Sequence, residues 1–349
     1  YRATQLHNWI LMVWCRIGYL VPRILKVIHF NRQKAPLPSM AGRRMRRWAP
    51  DMWTALPPLV VLCAGLGMAP VAAAATIHAV GIENQYANVI GQIGGEYVTV
   101  TAIESNPNTD PHTFEASPAV AREIAAAQIV VRNGVGYDSW AEKILAADHS
   151  AQRKVIVVQD LLHLPKSTQN PHLWYKPETM PAVAKAVAQS LTELDPAHAA
   201  YFTANVRKFD ASLKPWYQAI ASFKAQFGGT PVAVTEPVAD YLLQAAGCDI
   251  KTPWKLQAAI MNGTDPAPQD VSIQDQLIKQ HQVKVFLYNQ QVTSALTASF
   301  LGKAKAANIP VVGFYESMPT GYSYQSWMLA EVHALSNAVK HGTSTTVLK

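Results

Sequence analysis

A long amphipathic segment, residues 195–229, lies in the middle of the chain and limits the folds that the chain can adopt. It begins with Asp195-Pro196, a favourable N-cap and first helical residue, and ends with Gly228-Gly229, a typical stop. Apolar residues recur between these ends in steps of three and four: Phe202, Val206, Phe209, Leu213, Trp216, Ile220, Phe223 and Phe227. This pattern predicts one helix of roughly 45–50 Å at 1.5 Å per residue, with a single apolar stripe.

That stripe needs a partner, and two kinds are open. A stripe of this length would permit a coiled-coil dimer, but charged residues at the e and g positions are sparse. We therefore favour a helix that joins two lobes of the same chain. Pro215 lies inside the helix and should kink it, because proline lacks the backbone N–H that the helix needs.

On both sides of this helix, short β-branched runs alternate with helix-like segments. Strands are predicted at residues 77–82, 97–103, 128–133, 154–160, 231–236, 283–289 and 310–316. Helices are predicted at residues 83–94, 117–127, 138–147, 269–281, 293–307 and 323–340, with a shorter one ending at Ala246. We predict an α/β protein whose lobes, residues 76–194 and 230–349, have mostly parallel sheets and are joined by the helix over 195–229.

Residues 40–75 have the three parts of a secretory signal peptide: four arginines, an apolar run and an alanine-rich exit. Cleavage is expected near Ala74 or Ala75. A transmembrane helix is the weaker alternative, because the run of seventeen residues contains two prolines and about 20 apolar residues are usual. Cys63 lacks a good lipobox, so a lipid anchor is a minor alternative. We expect export to the periplasm or the cell surface.

Residues 1–39 lack an initiating Met and carry three cations, Arg16, Arg23 and Lys26, within an apolar stretch. We interpret them as upstream translation outside the native product. An added membrane segment is disfavoured, because these charges would lie in hydrocarbon.

The net charge of +7 belongs to the leader. Residues 1–75 hold ten of the thirty Lys and Arg but only one of the twenty-three acidic residues, so the remainder is slightly acidic. This distribution gives no indication of a nucleic-acid partner. Cys248 is the only cysteine after the leader, which excludes a disulfide framework and a thiolate metal site.

Two loops place a histidine directly behind a proline: DPHTFEASP with His112 and NPHLWYKPE with His172. Proline stiffens each loop, and the first follows a strand, at the edge where open α/β sheets bind ligands. A lone histidine is more often structural. The repeat favours a metal site, because imidazole is the commonest metal-binding side chain.

Two glutamates, Glu236 and Glu316, close predicted strands in the second lobe. Each alone could be a solvated strand end. With the two histidines they would form a site in the cleft between the lobes. No H-E-x-x-H, G-x-S-x-G, Walker or G-x-G-x-x-G motif is present, and we expect a packing role for Tyr137, Asp138 and Trp140.

The motifs D-P-H-x-F-E-x-S-P, N-G-x-G-Y-D-x-W, N-P-H-x-W and E-x-x-P-x-G together resemble the metal-binding subunits of bacterial ABC importers for zinc, manganese or iron. The resemblance covers about residues 76–340. It implies two α/β lobes joined by a backbone helix, and metal ligands at His112, His172, Glu236 and Glu316. In that family the fourth ligand is usually Asp, so Glu316 is a departure, and the His-rich loop of many zinc importers is absent.

The resemblance implies capture of one divalent ion, Mn or Zn and in some members Fe, and its delivery to an ABC permease by a monomeric protein that is not an enzyme. Two imidazoles and two carboxylates suit Mn(II) or Fe(II), but Zn(II) binds the same atoms tightly. A secreted metallohydrolase is one alternative, although four protein ligands would leave no open coordination position. A metal-stabilised surface adhesin is the other.

Overall fold

The computed structural model describes residues 76–348. The signal peptide predicted over 40–75 and the extension predicted over 1–39 lie outside the described residues. No helix in the described part of the chain is long and apolar enough to cross a lipid bilayer.

The first lobe alternates strands and helices, as the sequence predicts, but the strand predicted over 154–160 ends at Val157 and the next four residues form a helix. Its elements are β1 (Ile77–Glu83), α1 (Asn84–Gly94), β2 (Val98–Glu104), α2 (Pro118–Ala126), β3 (Ile129–Arg132), α3 (Ser139–Ala147), β4 (Lys154–Val157), α4 (Val158–Leu161) and α5 (Thr179–Leu194). The strands form one sheet in the order β2-β1-β3-β4, and every pair is parallel.

The second lobe repeats this arrangement. Its elements are β5 (Pro231–Val234), α8 (Asp240–Ala245), β6 (Asp249–Ile250), α9 (Trp254–Met261), α10 (Pro268–Lys279), β7 (Val285–Asn289), α11 (Ala295–Ala306), β8 (Val311–Phe314) and α12 (Tyr324–His341). The parallel strands lie in the order β6-β5-β7-β8, which is the order of the first sheet. The prediction of two mostly parallel α/β lobes is confirmed.

Sequence patterns did not reveal two elements of the second lobe, β6 and α9. The strand β6 has only two residues and pairs with β5 through Pro231–Asp249 and Val232–Ile250. The helix α9 has eight residues, which are too few to establish a helical period.

The connecting helix forms, and it is interrupted two residues before Pro215, where a kink was predicted. It consists of α6 (Ala199–Ser212) and α7 (Lys214–Phe227), which meet at Leu213, and Pro215 lies in the first turn of α7. Proline is tolerated there because the first N–H groups of a helix have no intrahelical acceptor. The predicted stripe faces inward, since Phe202, Phe209 and Trp216 are at most 2% exposed.

One apolar core runs through both lobes and the connecting helix. In it, Trp216 of α7 packs against Tyr324 of α12 with ring centroids 5.9 Å apart, and Tyr324 packs in turn against Trp327. The Tyr324 hydroxyl donates to the Trp174 carbonyl of the first lobe at 2.7 Å. The lobes are therefore held by a shared core rather than by a flexible tether.

Candidate metal centre

His112 lies on the loop between β2 and α2, in a short 3₁₀ turn. Asp110 caps this turn, because its Oδ1 accepts the His112 backbone N–H at 2.8 Å. Pro111 occupies the first position of the turn, as the motif predicted. The His112 side chain is 21% exposed, so it is the most accessible of the four predicted ligands.

His172 precedes a second 3₁₀ turn, Leu173–Tyr175, and is fully buried. Asn170 fixes its ring: Oδ1 of Asn170 lies 2.8 Å from His172 Nδ1 and also accepts the His172 backbone N–H at 3.0 Å. The Asn170 amide group donates to the Pro237 carbonyl at 2.8 Å, so Oδ1 is the atom that faces the imidazole. The proton therefore belongs on Nδ1, and the Nε2 lone pair is free to bind a cation.

Glu316 lies two residues beyond β8, with none of its surface exposed. Both carboxylate oxygens accept hydrogen bonds, Oε2 from the Tyr137 hydroxyl at 2.9 Å and Oε1 from the Asn289 amide. The Glu316 backbone N–H donates to Gln291 Oε1 at 2.6 Å, and the Gln85 amide donates to its carbonyl at 3.3 Å. Groups from both lobes thus fix this glutamate.

Three of the predicted ligands converge on one point. His112 Nε2 lies 3.2 Å and His172 Nε2 lies 3.3 Å from the same atom, Oε2 of Glu316. Neither Nε2 forms a hydrogen bond with proper geometry to a described residue. Each of the three residues offers one donor atom, and these three atoms all lie within 4.8 Å of one another, which is close enough for all of them to bind one metal ion.

The ionisation of Glu316 and of the two histidines depends on the charges of their neighbours in the site. Burial raises the pKa of Glu316, but the charges of His112 and His172 outweigh that effect and hold the pKa well below its usual range. Burial also lowers the pKa of His172, and this effect dominates. For His112 burial acts in the same direction, but the nearby Glu316 charge reverses the sign and raises the pKa. The site favours an ionised carboxylate beside two imidazoles.

Glu236 lies two residues beyond β5, is 3% exposed and stands outside the group of three. Neither of its carboxylate oxygens forms a hydrogen bond with proper geometry to a described residue, although the Asn289 amide lies close enough to affect its ionisation. Burial, followed by the charge of Glu316, raises the pKa of Glu236, and the Asn289 amide opposes the rise. A buried carboxylate without a partner is costly, and either a proton or a bound cation would relieve that cost. The chemistry of this donor set fits a divalent metal ion.

Tyr137 and Asn289, which donate hydrogen bonds to the Glu316 carboxylate, were not predicted as members of the site. Tyr137 was expected only to pack, yet its hydroxyl binds Glu316. Asn289 ends β7, the strand between β5 and β8. Since Glu236 and Glu316 follow the two neighbouring strands, a polar residue at the end of β7 was the signal that could have identified Asn289.

The turn before Tyr137 explains how its hydroxyl reaches Glu316. Gly134, Val135 and Gly136 all have positive φ angles, of 84°, 54° and 77°, and such a conformation is strained for the β-branched valine. Asp138 stabilises the turn by accepting the Gly134 N–H at 3.1 Å, and the Gln159 side chain accepts the Val135 N–H at 2.7 Å.

A cavity of about 340 Å³ lies beside the site, between the lobes. Its walls come from three loops of the first lobe and from α9 of the second: His112, Val135, Gly136, Tyr137, Gln169, Pro171, Trp254, Ala258, Met261 and Asn262. His112 is the only one of the four predicted ligands in this lining. The cavity therefore reaches the site from the His112 side.

Residues 83–338 match the family model for zinc-uptake complex component A, periplasmic. The chain belongs to this family. Its members are metal-binding solute-binding proteins of zinc, manganese and iron ABC importers, and they are transport proteins rather than enzymes.

Individual relatives are distant in sequence. The chain is 26% identical over 141 residues to the manganese-binding lipoprotein MntA of Bacillus subtilis, an alignment of 38% of this chain and 44% of that protein. It is 23% identical over 133 residues to the iron-binding protein YfeA of Yersinia pestis, an alignment of 36% of this chain and 42% of that protein. These alignments thus cover less than half of either relative.

Solved structures share the fold over nearly their whole length. The periplasmic zinc-binding protein TroA from Treponema pallidum superposes with a TM-score of 0.65 at 16% identity, covering 77% of this chain and 99% of TroA. The solute-binding protein FpvC from Pseudomonas aeruginosa in complex with Mn²⁺ gives a TM-score of 0.64 at 20% identity, covering 76% and 99%. The family's two-lobed fold is therefore that of this chain.

Proposed function

We propose that this protein captures one divalent transition-metal ion outside the cytoplasmic membrane, with His112, His172, Glu236 and Glu316 as its ligands, and delivers the ion to an ABC permease. The observation that carries the proposal is the approach of two imidazole Nε2 atoms to one oxygen of Glu316, at 3.2 and 3.3 Å. Two neutral imidazoles and two carboxylates would balance the charge of a divalent ion.

Manganese and zinc are the candidate ions, with iron a third. Relatives named for manganese and iron, and neighbouring structures named for zinc and manganese, support this class of ion. Imidazole and carboxylate ligands suit all three metals, and affinity for a given site rises from Mn²⁺ through Fe²⁺ to Zn²⁺. Ligand type alone therefore does not select one of them.

The organisation of the chain follows from the same proposal. Residues 40–75 would direct export and be removed, and the mature protein would act as a periplasmic or surface-associated monomer. Its lobes would be residues 76–194 and 230–349, with the backbone helix over 195–229. Four protein ligands would close the coordination shell, which disfavours a hydrolase with an open metal position.

Equilibrium binding of Mn(II) and Zn(II) to the purified mature protein tests this function. The His172→Ala variant should lose at least about 100-fold in affinity for either ion, because a buried ligand is removed, whereas His149→Ala, at an exposed position outside the site, should bind like the parent. Elemental analysis of protein from its native compartment would identify the ion. A His172→Ala variant with unchanged affinity would refute the ligand set.

Rescue of growth tests the transport role. A strain lacking this protein should fail to grow in chelated medium and recover when one specific metal is restored. Hydrolysis of a substrate by the metal-loaded protein would instead support the hydrolase alternative, and adhesion without a growth defect would support the adhesin alternative.

A further inference from the structure

Asn289 ends β7, between the strands that lead to Glu236 and Glu316, and it contacts both segments. Its side-chain amide donates to Glu316 Oε1, and its backbone N–H donates to the Thr235 hydroxyl, one residue before Glu236, at 3.1 Å. We propose that Asn289 sets the metal preference of the site by restricting Glu316 to a single coordinating oxygen, an inference that rests on the proposed function.

The orientation of the Asn289 amide is fixed. Its Oδ1 accepts the Gln291 backbone N–H at 2.8 Å, so the NH₂ group is the part that faces the carboxylate. Asn289 is 2% exposed, and water does not compete for these contacts. Gln291 also accepts the backbone N–H groups of Glu316 and Ser317, at 2.6 and 2.9 Å. Both the backbone and the side chain of Glu316 are therefore held.

The two oxygens of Glu316 have different surroundings. Oε2 faces both histidines and accepts the Tyr137 hydroxyl, which leaves a lone pair for a metal ion. Oε1 accepts the Asn289 amide, and this bond holds the carboxylate with Oε2, rather than Oε1, directed at the two histidines. For both oxygens to bind one ion, the carboxylate would have to turn until Oε1 also faced that point, which would break or lengthen a buried hydrogen bond to a charged group, one of the strong kind. Asn289 therefore favours coordination through Oε2 alone.

The number of donor atoms follows from this restriction. His112, His172 and Oε2 of Glu316 supply three. Glu236, whose two oxygens lack partners among the described residues, adds one or two. Four donors suit the tetrahedral preference of zinc, whereas manganese favours six oxygen-rich positions. By keeping Glu316 monodentate, Asn289 shifts the preference of the site toward zinc.

Competition between Zn(II) and Mn(II) for the mature protein tests this role. In Asn289→Ala the ratio of the Mn dissociation constant to the Zn dissociation constant should fall about ten-fold, the change expected for loss of one hydrogen bond to a charged group. The Mn(II)-loaded variant should also show one more oxygen ligand by X-ray absorption. Asn205→Ala is the matched control: Asn205 is buried and donates to the Ile93 carbonyl at 3.0 Å, outside the site, and both readouts should stay at parent values.

The possible results separate this inference from the proposed function. A parent protein that binds neither ion overturns both. A parent that binds metal, with an unchanged ratio and coordination number in Asn289→Ala, overturns only the role of Asn289. If Asn289→Ala does not fold, a crystal structure of the zinc-loaded parent decides. Glu316 bound through Oε2 alone, with Oε1 still on Asn289, supports the inference, and both oxygens on the metal refute it.

Discussion

Replacing Glu236 by glutamine should stabilise the metal-free protein while weakening metal binding. Glu236 is 3% exposed, its oxygens lack hydrogen bonds to described residues, and the Glu316 charge lies near it. Glutamine has the same shape and carries no charge, so the repulsion from Glu316 is removed. An unsatisfied buried polar group costs about 1–3 kcal/mol, so the metal-free variant should melt roughly 2–12 °C higher at neutral pH.

The stabilisation expected from Glu236→Gln depends on pH. Burial, followed by the Glu316 charge, raises the pKa of Glu236 in the folded protein above its value in the unfolded chain. Protonated Glu236 therefore makes its full contribution to the free energy of unfolding below its pKa in the unfolded chain, about 4.3. This contribution is lost as the pH rises through the pKa of Glu236 in the folded protein. The advantage of Glu236→Gln should be largest at neutral pH and should shrink toward pH 4.

Thermal melting of the metal-free proteins from pH 4 to pH 8, monitored by circular dichroism, measures the effect. Glu96→Gln, at an exposed position outside the site, controls for the loss of a carboxylate. With excess zinc the order should reverse, because metal at 100 times its dissociation constant adds about 2.7 kcal/mol to the parent and less to the weaker-binding variant. A metal-free variant no more stable than the parent at neutral pH would refute this reasoning.

Other predictions concern Asn84, His112 and the core that the two lobes share. Asn84→Ala should lower the free energy of unfolding by about 1–3 kcal/mol in urea titrations, because Asn84 binds both the N–H and the carbonyl of Met318 across the lobes, at 2.9 and 2.8 Å; an unchanged midpoint would contradict this role. Metal affinity should fall on acidification, beginning above the ordinary histidine pKa because the Glu316 charge outweighs burial and raises the pKa of His112; affinity independent of pH from 5 to 8 would exclude proton competition at His112. Crystal structures with and without metal should show only small lobe movements, because one core spans both lobes, and a wide rotation would show this expectation to be wrong.

Local patterns were sufficient for most of the fold. The run of apolar residues from Phe202 to Phe227 specified both the connecting helix and its buried face, and Pro215 indicated where the helix is interrupted. Periodicity works for these elements because each is long enough to repeat its pattern. It failed for α9 and β6, which are short and depend on tertiary contacts.

The candidate site divides in the same way. His112 and His172 were predicted because proline-locked histidines are visible in the sequence, and the structure brings them together on Glu316. The contacts of Tyr137 and Asn289 were not visible, because they join residues separated by 179 and 27 positions. Such contacts form only when the lobes pack and the strand ends meet.

Two parallel α/β lobes, the helix between them and the residue types of a candidate metal site could all be predicted from the sequence, since periodicity, proline positions and side-chain chemistry are local properties. The folded chain was needed to show which Glu316 oxygen faces the histidines, which groups hold that carboxylate, and that the Glu236 carboxylate is buried without a well-formed hydrogen bond to a described residue. Hydrogen bonding and burial depend on distances across both lobes, and no local pattern encodes those distances.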